Sequence, residues 1–250
     1  RRTFLNSTVT SDGDDPVATF DCLLDSLQDL FSFLFISESK RASYGIPGNV
    51  ILPGIDVEEY GPYSGEAASI LRVGNLMSQR NLMFDMGFQE TVCQGLPNRL
   101  VGTNPENPEA RPAASFDELR GLYREARCIL HVTRQEFEDG YNLALLEAMA
   151  SGMPVVSLAN RSSPIEDGVN GYASYDAVTL RRRLKELLAD RDQAAELGAR
   201  ARETVAARFP ISRFIDQWRE TLLTSAEQPP RPPKRLKSER TPEPLKLLMQ

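Results

Sequence analysis

The stretch EDGYNLALLEAMASGMPVV, residues 138–156, predicts a loop, a helix and a strand in quick succession. We predict the helix over Leu143–Ala150, ended by Gly152, and the strand over Pro154–Leu158. Another strand is predicted upstream, over Cys128–Val132. A strand, a helix and a second strand in this order are typical of a parallel sheet with helical crossovers.

The same alternation extends in both directions from this stretch and indicates an α/β fold. Ser115 and Glu118 have the spacing of a capping box, which predicts a helix that runs to Ala126. We therefore predict a doubly wound parallel sheet, Rossmann-like, over residues 69–222. The remaining predicted strands are Ile70–Val73 and Asn98–Val101, and the remaining helices are Leu180–Ala189, Ala194–Arg208 and Phe214–Leu223.

Residues 1–52 have their own short elements ahead of that domain. The continuous apolar run Phe31–Ile36 predicts a buried strand, and Ser37 suits the N-cap of a helix through Ala42. A second strand is predicted over Val50–Leu52.

Two stretches of different composition flank the predicted sheet domain. Clustered Gly and Pro turns over residues 53–68 predict an interdomain linker. Residues 223–250 are rich in Pro, Lys and Arg, which predicts an unpacked tail. Such a basic tail could make peripheral contact with a membrane surface.

Composition excludes several classes of protein. The formal net charge of -6 argues against nucleic acid as a partner, since the phosphate backbone attracts basic surfaces. Three widely spaced cysteines fit no metal or disulfide pattern and favour reduced thiols in a cytoplasmic protein. No apolar run is long enough to span a membrane. The chain opens at Arg1 without a methionine, so we expect residues of the full protein to precede it.

The residues around the predicted helix start carry the chemistry. Ligands of open α/β sheets bind at the carboxyl ends of strands, where the amides of Gly140, Tyr141 and Asn142 would attract anions or sugar oxygens. Asp139 and Glu147, eight residues apart, could each accept hydrogen bonds from hydroxyl pairs of a sugar or ribose. The alternative for these carboxylates is a helix cap and a solvated side chain.

This stretch resembles the E-x7-E signature of retaining glycosyltransferases of the GT-B fold, the group 1 family. The signature is usually written E-G-F-G-L-x-x-L-E-A-M-A-x-G-x-P-V-V, and its second half matches Leu146 to Val156 almost completely. The resemblance implies that Glu147 holds the nucleotide ribose and that Asp139, in place of the usual glutamate, lies near the donor sugar. Leu143 would belong to the same substrate-binding loop.

The resemblance extends over residues 34–222. The segment from Leu71 to Arg80 is similar to the family's G-R-x-x-x-x-K segment, whose two basic residues bind the donor pyrophosphate. Gly74 keeps the glycine, Asn75 replaces the arginine, and Arg80 stands near the lysine position. Arg72 is the other candidate for the missing charge, although its strand position is deeper. Residues 165–171 resemble the family's E-D-G-x-N-G turn, preceded by Ser162-Ser163 where the family has two glycines.

The resemblance implies transfer of a hexosyl unit from a nucleoside-diphosphate sugar to an acceptor hydroxyl, with retention at the anomeric carbon. Arg80 and Asp139 would be catalytic, no metal or other cofactor is expected, and the acceptor is an unspecified sugar, lipid or protein. Residues 1–52 would be the remnant of the acceptor-side domain, completed by a missing N-terminal domain or a partner chain.

Two other interpretations stay open. The chain could be a non-catalytic nucleotide-sugar-binding module or an inactive glycosyltransferase-like subunit, since Asn75 and Asp139 depart from the pattern. It could also be a generic α/β domain used for protein contacts. His131, the single histidine of the sequence, is interpreted as a core residue at a strand end.

Overall fold

The structure is a computed structural model that describes residues 24–25, 27–28, 31–137 and 140–227. Asp139 and the tail beyond residue 227 lie outside the described residues. The chain divides into two compact units, one formed by Arg1–Leu52 with Asp216–Gln250 and the other by Pro53–Ile215.

In the first unit, two short parallel strands flank a helix. Strand β1 (Leu34–Phe35) pairs with β2 (Asn49–Val50), and helix α1 (Glu38–Tyr44) lies between them in the chain. Ser37 is the N-cap of α1, as predicted, and its hydroxyl accepts a hydrogen bond from the Lys40 amide at 3.1 Å. A small core forms from Leu24, Phe35 and Ile46.

The strand predicted over Phe31–Ile36 is wrong in its extent. Phe31 is 58% exposed and Ile36 is 44% exposed, so the apolar run is not buried along its length. Only Leu34 and Phe35 pair with a neighbouring strand, and the strand predicted over Val50–Leu52 likewise reduces to β2.

The second unit is a doubly wound α/β domain, which confirms the predicted fold class. Its described strands are β3 (Ala67–Val73), β4 (Asn98–Val101), β5 (Ala126–His131), β6 (Val155–Leu158) and β7 (Tyr172–Ser174). Its helices are α2 (Asn81–Phe84), α3 (Met86–Cys93), α4 (Phe116–Glu125), α5 (Leu143–Ala150), α6 (Ala177–Ala189) and α7 (Arg191–Arg208), with α8 (Ile211–Glu227) after them. All neighbouring strands of this sheet are parallel, in the order β4-β3-β5-β6-β7.

The connections run outward from β3 and β5 in opposite directions. Right-handed crossovers therefore place α3 and α5 on opposite faces of the sheet. On the α3 face, the side chains of Val92 and Cys93 pack with Leu180, Leu184 and Leu187 of α6 against Ile70, Cys128 and Leu130 of the strands. On the other face, α5 packs against β6 and α7.

Most predicted elements are present with shifted ends. The helix Leu143–Ala150 and the strand Asn98–Val101 are confirmed as predicted. Half of the capping box is confirmed, because the Ser115 hydroxyl accepts from the Glu118 amide at 3.1 Å, whereas the Glu118 carboxylate accepts from the amide of Ala114 at 2.6 Å instead of that of Ser115. Three elements were not predicted, namely α2, α3 and β7.

Candidate functional site

The strand order brings the two predicted donor-binding segments to one place. Strands β3 and β5 are neighbours, and the chain leaves them toward opposite edges of the sheet. This is the topological switch point, where the carboxyl ends of the strands form a crevice for ligands. The loop of Gly74, Asn75 and Arg80 follows β3, and the loop that leads to α5 follows β5.

Gly74 and Asn75 tie the loop after β3 to the loop after β4. The Gly74 amide donates to the Val101 carbonyl at 3.0 Å, and its carbonyl accepts from the Asn104 amide side chain at 2.8 Å. The Asn75 Oδ1 atom accepts from the Thr103 amide at 2.8 Å. Both residues therefore shape the rim of the crevice, and Asn75 brings no charge to it.

Arg80 presents an exposed cation beside the same crevice. Its guanidinium lies 4.7 Å from the ring centroid of Phe84, and its Nη2 donates to the Met83 sulfur at 3.2 Å. A cation over an aromatic face is held by the ring quadrupole while it stays in contact with solvent. Arg80 is thus positioned by α2 and open to an anion.

Arg72 does not stand in for the charge that Asn75 lacks. It is 8% exposed, and its Nε and Nη1 atoms are buried without a hydrogen-bond partner. Burial raises the pKa of the Cys93 thiol, and the positive charges of Arg72 and Arg181 oppose that rise, so Arg72 lies on the α3 side of the sheet. A guanidinium that is buried in this way is not available to a ligand of the crevice.

Helix α5 begins at Leu143, directly after the three residues whose amides were predicted to attract anions. Asn142 is the N-cap, and its side chain accepts from the Leu145 amide at 3.3 Å. The unpaired amides of the first helical turn are therefore those of Leu143 and Ala144, because the first N–H groups of a helix have no intrahelical acceptor. The amides of Gly140, Tyr141 and Asn142 precede this turn, and their binding of an anion or a sugar oxygen stays a prediction.

The residues around the start of α5 have separate structural roles. Gly140 has φ 79°, a left-handed conformation that favours glycine. The ring of Tyr141 packs edge-on against Phe209 with 4.8 Å between centroids, so its side chain contributes to the core. Leu143, by contrast, is 55% exposed at the head of the helix.

Glu147 lies one turn into α5 and is held by a tyrosine. Its Oε2 accepts a hydrogen bond from the Tyr123 hydroxyl at 3.0 Å, and Tyr123 is fully buried on α4. Burial raises the pKa of the Glu147 carboxyl, and the hydrogen bond from Tyr123 lowers it in part. The charge of Glu147 in turn helps to raise the pKa of Tyr60, after burial of that phenol.

A shallow cleft lies between the ends of β5 and β6 and the start of α5. It contains two of the predicted site residues, Gly140 and Asn142, while Arg80 and Glu147 do not line it. The other lining residues are His131, Thr133, Leu145, Leu158, Asn160, Ser162, Ser163 and Pro164. The Ser162-Ser163 pair, noted where the family has two glycines, therefore forms part of this wall.

The interpretation of His131 as a core residue is wrong. The side chain is half-buried and lines the cleft, and its Nε2 lies 3.3 Å from the Thr133 hydroxyl. Its position as the last residue of β5 explains this, since the carboxyl end of a strand opens toward the crevice.

Arg134 is a residue at the crevice that the sequence pattern did not reveal. Its Nε and Nη2 donate to one oxygen of Asp85, at 2.9 and 2.6 Å, and its amide donates to the Met83 carbonyl at 2.9 Å. The sequence signal that could have identified Arg134 is its position three residues after the end of β5.

Neither a metal-binding group nor a membrane-spanning helix is present in the described part of the chain. Within residues 24–25, 27–28, 31–137 and 140–227, no three His, Cys, Asp or Glu side chains group in a way that could hold a metal ion. None of the helices in the described part of the chain is long and apolar enough to cross a bilayer.

Comparison with known proteins finds glycosyltransferases that are similar to this chain. The sequence is 30% identical over 94 residues to a poly(ribitol-phosphate) alpha-N-acetylglucosaminyltransferase of Staphylococcus aureus strain COL, a match that covers 36% of this chain and 19% of that protein. TarM from S. aureus, crystallised with UDP and alpha-GlcNAc-glycerol, is similar in structure with a TM-score of 0.64 and 14% identity, over 84% of this chain and 48% of TarM. HepE from Anabaena, crystallised with UDP and glucose, has a TM-score of 0.65 and 15% identity, over 83% of this chain and 67% of HepE.

These structural likenesses identify the GT-B fold, and the chain spans about half the length of TarM. A model of the family described as "Glycosyl transferase-like" matches residues 85–220, which contain α5, Glu147 and the cleft. Because that match covers more than half of the chain, the protein belongs to the glycosyl transferase-like family.

Proposed function

We propose that this chain is the donor-binding half of a glycosyltransferase, which moves a hexosyl unit from a nucleoside-diphosphate sugar to an acceptor hydroxyl. The observation that carries the proposal is the meeting of two family segments at the switch point between β3 and β5. The acceptor, whether a sugar, a lipid or a protein, would be bound with the help of a further N-terminal domain or a partner chain.

The donor nucleotide would lie across the crevice, with Glu147 at its ribose. A carboxylate with one oxygen held by Tyr123 keeps its second oxygen for the paired ribose hydroxyls. The burial that raises the pKa of Glu147 also strengthens any hydrogen bond to its ionised form, because the local dielectric is low.

The diphosphate would be bound by Arg80 and by the amides of Leu143 and Ala144. An exposed guanidinium and a helix N-terminus both stabilise negative charge, and charge on the leaving group grows in the transition state. Asp139 would lie near the donor sugar, as the family resemblance implies. We propose retention of configuration from the same resemblance.

We also propose that this reaction needs no metal ion or other cofactor, since the arginine and the amides can neutralise the diphosphate. We propose the cytoplasm as its compartment, where free thiols such as the buried Cys93 and Cys128 persist. Addition of EDTA should then leave the rate of sugar transfer unchanged.

A thermal-shift series with uridine, guanosine and adenosine diphosphates and their sugars tests the donor site. A ligand that binds the folded state raises the melting temperature. At a free ligand concentration of 100 times the dissociation constant, the free energy of unfolding rises by about 2.7 kcal/mol. We expect one nucleotide of the series to stabilise the chain and its sugar conjugate to stabilise it further. If none of them does so, the proposed function is wrong.

Arg80→Ala separates a transferase from a binding module. We expect it to slow cleavage of the bond between the diphosphate and the sugar far more than it weakens nucleoside binding. The reason is that the negative charge that Arg80 would stabilise develops in the transition state. Arg182→Ala, which removes a 60% exposed arginine on α6, is the matched control and should change neither. Donor binding without any turnover in the complete protein would favour the non-catalytic module.

A further inference from the structure

We infer that Arg134 is a second phosphate-binding cation, which works with Arg80 in place of the arginine that Asn75 replaces. This inference rests on the proposed function and names a residue that the family signature does not assign. Two cations are needed because a buried diphosphate without compensating charge is costly.

Met83 brings the two arginines to the same short helix. Arg80 reaches it through its side chain, with Nη2 at 3.2 Å from the Met83 sulfur. Arg134 reaches it through its main chain, with its amide at 2.9 Å from the Met83 carbonyl. The loop after β5 is therefore attached to α2, and Arg80 and Arg134 both lie next to this attachment.

Asp85 fixes the orientation of the Arg134 guanidinium. Oδ2 of Asp85 accepts from Nε and Nη2 of Arg134, while Oδ1 caps α3 by accepting from the Phe88 amide at 3.2 Å. Arg134 is 49% exposed, and its Nη1 donates to no acceptor in the described part of the chain. An arginine held by one edge can donate from its other nitrogen to a phosphate oxygen.

The other nearby groups do not provide this charge. Arg72 is buried on the α3 side of the sheet, and Asn75 is neutral with its Oδ1 engaged by the Thr103 amide. Of Arg72, Asn75 and Arg134, only Arg134 combines a positive charge, exposure and a hydrogen bond to α2, the helix at whose start Arg80 lies.

Calorimetry with UDP and with uridine tests the inference, because the two ligands differ by the diphosphate alone. We expect Arg134→Ala to weaken UDP binding by about tenfold, the size of one charge-assisted hydrogen bond, and to leave uridine within about twofold. Arg134→Lys should recover part of the loss, since it restores the charge without the planar fork. Arg182→Ala should bind both ligands as the unaltered chain does.

Asp85→Asn separates phosphate binding from a loop effect. Asparagine tolerates the φ of 43° at this position and can still cap α3, so the variant loses the ion pair and keeps Arg134. We expect it to bind UDP at least as tightly as the unaltered chain, because the carboxylate of Asp85 no longer competes with the diphosphate for the charge of Arg134, and this gain should offset the looser orientation of the guanidinium. A loss equal to that of Arg134→Ala, or an equal loss of uridine and UDP affinity in Arg134→Ala, would overturn the inference. If the unaltered chain binds none of the nucleotides in the thermal-shift series, the proposed function fails and not this assignment alone.

Discussion

Two opposing effects act on the pKa of the Glu147 carboxyl. Burial disfavours its charge and raises the pKa of the carboxyl, whereas the Tyr123 hydroxyl stabilises the charged form. A group that costs stability when ionised and still occupies a position implied for ribose binding is typical of a functional carboxylate.

Glu147→Gln should therefore separate stability from binding. Glutamine can still accept from Tyr123 and has no charge to bury, so we expect the free energy of unfolding at pH 7 to be unchanged or higher. Nucleoside-diphosphate affinity should fall by about tenfold, because hydrogen bonds to charged groups contribute about 1.5–3 kcal/mol. Chemical denaturation and calorimetry on the same samples measure the two effects.

The pH dependence of this variant has a defined sign. The folded pKa of Glu147 is raised, so the stability it contributes is present below its unfolded pKa and is lost as pH rises through the folded pKa. The stability of Glu147→Gln relative to the unaltered chain should therefore increase as pH rises from the acidic range to neutrality. Glu90→Gln, an exposed position on α3, is the control; a flat difference for Glu147→Gln would contradict the prediction.

At this scale the sequence revealed residue types better than their contacts. Glu147 was identified from its spacing, but its bond to Tyr123 joins residues 24 positions apart on two helices. Arg134 lacks a motif, because its place in the crevice depends on contacts with Met83 and Asp85 some 50 residues upstream. Contacts between residues so far apart in the sequence depend on the strand order, and local spacing does not determine them.

At the scale of elements, α5 was predictable and its surroundings were not. The run Leu143–Ala150 is dense in good helix formers, so local propensity and the tertiary fold agree. Helix α3 contains Gly87, Thr91 and Val92, which have low helix propensity, and it is held by the Asp85 cap and by burial. Strand β7 has three residues, too few for a period to be recognised.

Two helix caps provide a matched test of the α5 site. Asn142→Ala and Ser115→Ala each remove a side chain that accepts from a first-turn amide, so each should lower the free energy of unfolding by about 1 kcal/mol. Of these two helices, α5 is the one that begins beside the crevice, and Asn142 lines the cleft. We therefore expect UDP affinity to fall in Asn142→Ala and to stay unchanged in Ser115→Ala, as measured by calorimetry. Equal losses in both variants would show that affinity merely follows stability.

At the scale of the whole molecule, the alternation of strands and helices predicted a parallel sheet but not the order of its strands. Order decides which loops meet, and here the reversal between β3 and β5 creates the crevice. The family resemblance indicated both candidate donor segments in the chain, while their meeting point is a property of the sheet. Prediction from the residues alone therefore reached the fold class and stopped before the site geometry.

A second whole-molecule feature is the close approach of α7 to the turn between α5 and β6. A Cβ atom at Gly198 would overlap the backbone carbonyl oxygen of Gly152, and Gly152 itself has φ 81°. Backbone atoms cannot rotate aside as a side chain can, so both positions require glycine for α7 to pack against α5. This packing supports α5, the helix that carries Glu147, near its C-terminal end.

Gly198→Ala and Gly121→Ala should accordingly change stability in opposite directions. Both glycines lie inside helices, where alanine is intrinsically favoured by about 0.5–1 kcal/mol. At Gly121 of α4 the nearest atom to an added Cβ is Arg124 Nη2 at 4.0 Å, so that gain should be realised. At Gly198 the overlap with Gly152 should outweigh it and cost about 1–3 kcal/mol, the usual range for an overpacked core. Urea unfolding followed by circular dichroism measures both, and an increase in the midpoint for Gly198→Ala would show that α7 can shift without loss and does not fix α5 in place.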